Sequence, residues 1–187
     1  PTPVGAFRFN PSSAKLEYYD GNQFVNVTTD SPEQHTGATR GLFAGHNATP
    51  SDSSGNTIEF INVSTRGDAT NFGDRLGSGR RQIAALADRS RAVFAGSYSP
   101  MGNTIDFVTI ASQGNAQDFG DTLSSGTNSV LIEATGVSDS TRGLICGGRQ
   151  PGQVDVISYV TIQSTGNALD FGNLLEVKRN CGSFQSP

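Results

Sequence analysis

The segment Thr57-Ile58-Glu59-Phe60-Ile61-Asn62-Val63 alternates with a period of two: Ile58, Phe60 and Asn62 point one way, and Thr57, Glu59, Ile61 and Val63 the other. Both faces carry apolar residues, which predicts a strand covered on both sides. The pattern returns at 103–110 (Asn-Thr-Ile-Asp-Phe-Val-Thr-Ile) and at 155–162 (Asp-Val-Ile-Ser-Tyr-Val-Thr-Ile). Leu42-Phe43-Ala44 predicts a short buried strand ended by Gly45. Gln82 to Ala87 would suit a helix on propensity alone. Its counterpart, Ser129 to Ala134, prefers strand, and the repeat assigns strand to both.

Self-similarity runs through most of the chain. Arg40-Gly41-Leu42-Phe43-Ala44-Gly45, Arg91-Ala92-Val93-Phe94-Ala95-Gly96 and Arg142-Gly143-Leu144-Ile145-Cys146-Gly147 align, with arginines at two equal steps of 51 residues. The alternating strand follows each. A third block, Gly67 to Asp74, Gly114 to Asp121 and Gly166 to Asn173, then brings Phe72-Gly73, Phe119-Gly120 and Phe171-Gly172. Length varies only in polar stretches such as Asn47–Gly55 and Ser97–Gly102, which read as surface loops.

Each unit holds about four short strands in about 50 residues, the size of one propeller blade and close to the kelch period. The expected class is all-β: three kelch-like four-stranded repeats over residues 30–187, after a small β-meander over residues 1–29. Small residues at Ala44, Gly45, Ala95, Gly96, Cys146 and Gly147 would suit crowded strands near a channel. Three blades do not close a ring, since at least four are needed. The stretch Ser31–Ala38 is a poor first strand for the first repeat. The tail from Val177 through Cys181 to Phe184 falls where a fourth first strand would begin. It is expected to complete a blade of a neighbouring chain or to pack beside the first blade, giving a partial propeller or one completed by oligomerisation.

The N-terminal segment differs. Ala6-Phe7-Arg8-Phe9, Leu16-Glu17-Tyr18-Tyr19 and Gln23-Phe24-Val25-Asn26-Val27 predict three strands, joined by turns at Asn10–Ser13 and Asp20-Gly21. A meander this small buries too little to stand alone. Its aromatics Phe7, Phe9, Tyr18, Tyr19 and Phe24, with Val177, Cys181 and Phe184 of the tail, are the candidate assembly residues.

The strings Val4-Gly5-Ala6-Phe7-Arg8-Phe9-Asn10 and Lys15 to Val25 resemble a short module of phage tail-fibre and other virion structural proteins. The repeat, with Thr104 to Ile110 and Gly114 to Asp121 after an Arg-x-x-Phe-x-Gly block, is similar to kelch-like repeats in virion structural proteins of phages, those of marine cyanobacteria above all. Gly-Gly stands only at Gly147-Gly148, against Gly45-His46 and Gly96-Ser97. The resemblance implies assembly, decoration of a particle or receptor contact in a virion, and not catalysis.

Composition narrows the remaining chemistry. The 187 residues carry a net charge of −4, with 23 Gly and no Trp, and no basic run longer than Arg80-Arg81. A nucleic-acid partner is therefore not expected. No signal peptide or membrane span is visible. Cys146 and Cys181 make no disulfide framework and read as small buried thiols. His35 and His46 lie in loop-like sequence without a metal-site pattern. The recurring Asn115, Gln117, Asp118 and Asp121 could offer oxygens to calcium, but lack the usual loop, and their recurrence favours turn capping. Arg40, Arg91 and Arg142 could ring an anion; recurrence again favours bonds to backbone carbonyls or a carboxylate between blades. Phe72, Phe119 and Phe171 read as repeat-building residues. Sequons at Asn26, Asn47 and Asn62 carry little weight. No catalytic residue, cofactor or metal is expected.

The expected function is thus a non-enzymatic virion surface protein, a capsid decoration or a tail or fibre appendage. It would form homo-oligomers through its N-terminal segment and open repeat edges, with other virion proteins as partners. A receptor- or glycan-binding module, reading a host surface through the loops Asn47–Ser54 and Ser97–Gly102, is the alternative. A glycan-cleaving propeller would need paired carboxylates, and only Glu17, Glu33, Glu59, Glu133 and Glu176 supply glutamate.

Overall fold

The computed structural model describes residues 2–12, 15–27, 39–45, 53–77, 80–98, 102–123, 131–150 and 152–184. His35, His46, Asn47, the stretch Ser31–Ala38 and most of the two variable loops lie outside the described residues. The chain is all-β, with antiparallel sheets, a single 3-10 turn at Ser53–Asn56 and no α-helix among the described residues. It divides into two compact bodies, residues 1–34 and 35–187.

The first body is a meander of β1 (Phe7–Asn10), β2 (Lys15–Tyr19) and β3 (Phe24–Asn26), paired in that order. Phe7 lies opposite Tyr18 and Phe9 opposite Leu16, so these four share one face, and all four are exposed. On the other face Glu17 is buried, accepting from Arg8 Nε at 2.7 Å and Asn10 Nδ2 at 2.9 Å. Those bonds, Asn10's first, hold its carboxyl below the usual carboxylate range. The Arg8 guanidinium lies 3.7 Å above the Phe24 ring. At the β2–β3 turn Asp20 accepts the N–H groups of Asn22 and Gln23, both at 2.8 Å.

The second body is the repeat. Its first sheet holds β4 (Arg40–Ala44), β5 (Thr57–Asn62) and β6 (Thr70–Asp74), in that order. The second holds β7 (Ala84–Ala87), β8 (Arg91–Ser97), β9 (Gly102–Thr109) and β10 (Gln117–Asp121). The third holds β11 (Thr135–Ser138) and β12 (Arg142–Cys146). A small hairpin of β13 (Arg149–Gln150) and β14 (Gly152–Gln153) follows, then β15 (Val156–Thr161) and β16 (Leu169–Asn173), with sheet order β11-β12-β15-β16.

Two local devices recur. Before the second strand of the later repeats, Asp88 accepts from the N–H groups of Ser90 and Arg91, and Asp139 from those of Thr141 and Arg142. Burial opposes ionisation of Asp88, but bonds from Gln163, Arg91 and Ser90 outweigh it and keep its carboxyl below the usual range. In the last strand of every repeat the register slips at the Phe-Gly pair: Asn71 faces Glu59 and Gly73 faces Ile58, with Phe72 unpaired between them. Phe119 and Phe171 are bypassed in the same way. The bulge turns each phenyl ring out of its sheet's regular alternation, and the following glycines take φ of 153°, 143° and 148°.

Three strand expectations need correction. Gln82–Ala87 yields β7, but in the third repeat the strand is Thr135–Ser138, and residues 131–134, the described part of the expected Ser129–Ala134, form none. Glu133, like its counterpart Gln82, has positive φ and breaks extended structure just before the strand. Leu131 and Ile132 are instead core residues, and Ile132 makes only an isolated antiparallel bridge to Arg149, so their apolarity signalled burial more than strand pairing. Phe43, expected in a buried strand, is exposed, and the two faces of β5 are covered unequally: Ile58 is buried, whereas Thr57 and Ile61 on the other face are half-buried and Glu59 is exposed. Both corrections have one cause: the first repeat is an end of the array.

The core lies between repeats. One apolar cluster joins Ile58 and Phe72 of the first repeat to Ala92, Phe94, Val108, Ile110 and Ala116 of the second. The larger one joins Leu86, Val93, Ile105, Phe107 and Phe119 of the second to Ile145, Val160, Ile162 and Ala168 of the third. Buried between the first two repeats, Asp106 Oδ1 accepts from Arg75 and Arg80, both at 2.9 Å, and its Oδ2 from the Leu76 N–H at 3.0 Å. Arg80 also donates to the carbonyls of Gly96 and Thr104. Burial, then the nearby Arg75 charge, lowers its guanidinium to about 10, still cationic at neutral pH. Both cysteines are free thiols; Cys146 is buried and Cys181 partly so, and burial raises the Cys146 thiol.

Candidate assembly interface

The same set of contacts holds each pair of neighbouring repeats. Arg40 donates to the Ile110 carbonyl at 2.6 Å, and Arg91, one repeat on, to the Ile162 carbonyl at 3.1 Å. Each guanidinium also lies over an aromatic ring of its own repeat, Phe60 at 5.0 Å and Phe107 at 4.5 Å. Those rings meet Phe72 and Phe119 edge to face. Arg40 and Arg91 therefore join backbone carbonyls across repeats, one of the two roles expected for the recurring arginines.

The Gly-Asn-Ala segments are the second half of the joint. Gly114 and Ala116 donate their N–H groups to the Phe72 and Asp74 carbonyls, and the Asn115 side chain accepts the Asp74 N–H at 3.0 Å. Gly166, Asn167 and Ala168 repeat this on Phe119 and Asp121. Asn115 was expected to cap its own turn or to offer oxygen to a cation; its oxygen is spent instead on the preceding repeat. The approach is close enough that a Cβ on Gly73 would lie 2.1 Å from the Gly114 carbonyl oxygen, and one on Gly120 2.5 Å from that of Gly166.

At the ends the same positions are open. Phe72 and Phe119 are each 2% exposed, whereas Phe171 is 48% exposed. In the other direction Phe94 and Ile145 are 2% and 1% exposed, against 54% for Phe43. Arg142 keeps its place over Tyr159, at 4.9 Å, and over Phe171, but its guanidinium reaches no carbonyl among the described residues. Gly67-Asp68-Ala69, the first repeat's counterpart of Gly114-Asn115-Ala116, is exposed, and nothing stands within 4 Å of a Cβ built on Gly172. The third repeat thus ends in an empty socket, and the first in the matching plug.

The tail follows the rule of the joints. Asn180 has positive φ like Gln82 and Glu133. Glu133 N donates to the Gln82 carbonyl at 3.0 Å, and Asn180 N to the Glu133 carbonyl at 2.9 Å. Gly148 N bonds the Lys178 carbonyl as Ser97 N bonds that of Leu131. Arg179 pairs with Glu133 at 3.1 Å, and Ser183 Oγ donates to the Gly136 carbonyl. Residues 178–184 therefore run beside the third repeat, at the position where a fourth would open; among the described residues no bond of the tail to the first repeat of its own chain is seen. Cys181 is partly covered there, whereas Val177 and Phe184 are exposed.

Beside the edge of β4 an apolar cleft of about 300 Å³ is lined by Arg40, Leu42, Ala85, Leu86, Ala87, Ala92, Phe94 and Ile110. Of the residues singled out from sequence, the structure joins Arg40, Arg91, Phe72 and Phe119 in internal joints and leaves Arg142 and Phe171 at an open one. Tyr19 and Phe24 pair at 5.3 Å in the meander, while Phe7, Phe9 and Tyr18 stay on its open face. The socket glycines and the Arg75–Arg80–Asp106 cluster were not singled out. The recurrent Phe-Gly pair was the signal for the glycines; nothing in the repeat pattern marks the charges, which among the described residues occur at one joint.

Replacing Gly120 by Ala is expected to destabilise the chain by about 2–5 kcal/mol, combining left-handed strain with overpacking. Gly172→Ala carries the strain without the collision and is expected to cost about 1–3 kcal/mol. Urea unfolding of the two variants side by side measures the difference. No family model matches the chain, and no curated protein matches it at a significant level.

Proposed function

We propose that this chain is a non-enzymatic structural building block of a virion surface, a capsid decoration or a tail or fibre appendage, whose kelch-like repeats form part of a propeller completed by assembly. One observation carries the assembly reading: residues buried at every internal joint have exposed counterparts at both ends of the array, Phe43 at one and Phe171 at the other. Exposed apolar surface concentrated in this way marks an interaction site. The open face of the meander, with Phe7, Phe9, Leu16 and Tyr18, offers a second contact by which the block is held to a particle. The virion setting rests on the resemblance of the N-terminal module and the repeat to phage structural proteins. Co-sedimentation of the purified chain with capsids and with tails tests it. Saturable binding to one of them, weakened by Phe7→Ser with Phe9→Ser, is the expected result; binding to neither would remove the virion role.

A further inference from the structure

We propose that the open ends are covered by a second copy of this chain, joined head to tail, with residues 178–184 of one copy serving as the strand that precedes β4 in the other. The inference rests on the assembly reading above and names its partner and register.

The internal joints supply the argument. β4 is the edge of its sheet among the described residues, whereas its counterparts β8 and β12 are flanked by β7 and β11. The tail already lies where a fourth repeat begins, fixed through Lys178, Asn180 and Ser183. If the fourth repeat is the first repeat of another copy, the socket at Gly172 receives that copy's Gly67-Asp68-Ala69, and Arg142 receives its Val63 carbonyl. Asp68 stands where Asn115 and Asn167 stand, and its carboxylate oxygen can accept the Asn173 N–H in the same way.

Two side chains fix the register further. Within the second repeat Leu86 of β7 faces the next repeat, so close that a Cβ on Gly143 would lie 2.3 Å from Leu86 Cδ1. Phe184 is the tail's counterpart of Leu86, and Ala92 is the counterpart of Gly143. Ala92 lines the apolar cleft beside β4, so Phe184, now 95% exposed, would enter that cleft in the other copy. Lys178 is the counterpart of Arg80, and Glu59 that of Asp106. The buried Arg80–Asp106 pair would thus recur as Lys178 against Glu59 of the other copy. Glu59 is exposed and has no ion pair among the described residues, and Lys178 has only Glu176 at 3.6 Å. Such a joint is heterologous, and two copies joined twice give a closed ring of six repeats.

Sedimentation equilibrium of the full chain over a concentration series tests this. The wild type is expected at twice its 19.6 kDa mass. Phe184→Ser, Lys178→Glu and Glu59→Lys should each weaken association by about tenfold or more, and the double variant Glu59→Lys with Lys178→Glu should regain it. Circular dichroism checks that the exposed-site variants remain folded. A wild type monomeric at all concentrations overturns the joint. A dimer indifferent to Phe184→Ser and to both charge reversals also overturns it, while leaving assembly through another face standing. Loss in both reversals without rescue in the double variant rejects the register.

Discussion

Asp106→Asn should lower stability by about 3–5 kcal/mol, the cost of removing one partner from a buried ionic group. Asp106 is fully buried and, among the described residues, is the carboxylate that pairs with both Arg75 and Arg80. Without its charge two guanidiniums remain between the first and second repeats, and Arg75 Nε and Nη1 already lack hydrogen-bond partners there. Arg80 keeps its carbonyls on Gly96 and Thr104, so Arg75 bears most of the loss. The next joint provides the control. Thr122, Leu131 and Ser158 occupy the positions of Arg75, Arg80 and Asp106, and all three are buried without an ion pair. The triple variant Arg75→Thr, Arg80→Leu, Asp106→Ser converts the first joint to the chemistry of the second. It is expected to recover most of what Asp106→Asn loses, because buried ion clusters are replaceable by packed uncharged residues. Chemical denaturation of the single and triple variants, with unchanged dependence on denaturant, measures both effects.

The strands and the repeat were legible because side-chain alternation and 51-residue recurrence depend only on local geometry and on equal packing of equal units. Residue burial was less so. Phe43 and Phe94 occupy one position of the pattern, yet one faces an open end and the other a neighbouring sheet. No local signal separates them; the difference comes from how many repeats precede each. Thr135–Ser138 was missed as a strand because Val130, Leu131 and Ile132 carry the stronger apolar signal just upstream. Asn115 was legible as a recurring residue but not as a bridge, because its partner Asp74 lies in another repeat. The tail was legible in position, since its spacing follows the repeat, but not in its bonds to Glu133 and Gly136.

Phe119→Ala is the second large effect. The ring is buried in the larger core cluster, edge to face on Phe107 at 5.9 Å, and its removal should cost about 3–5 kcal/mol. Phe171 sits in the same bulge with the same aromatic neighbour geometry, on Tyr159 at 6.1 Å. In the isolated chain Phe171→Ala should cost less than about 1.5 kcal/mol, because nothing of the next repeat covers the ring. Thermal or urea unfolding under dilute conditions distinguishes the two. Equal losses would mean that Phe171 is covered within a single chain.

The shared chemistry of the joints bears on how such a chain can change over time. Where the last sheet ends in the acceptor half of an internal joint and the first begins with the donor half, gaining or losing one whole repeat leaves both termini as they were. Recombination between repeats would then yield folded products of altered length at once, without compensating substitutions at the ends. If the ring proposed above forms, divisibility limits the length: a ring of six accommodates one, two, three or six repeats per chain and not four or five, so closure rather than folding would select repeat number.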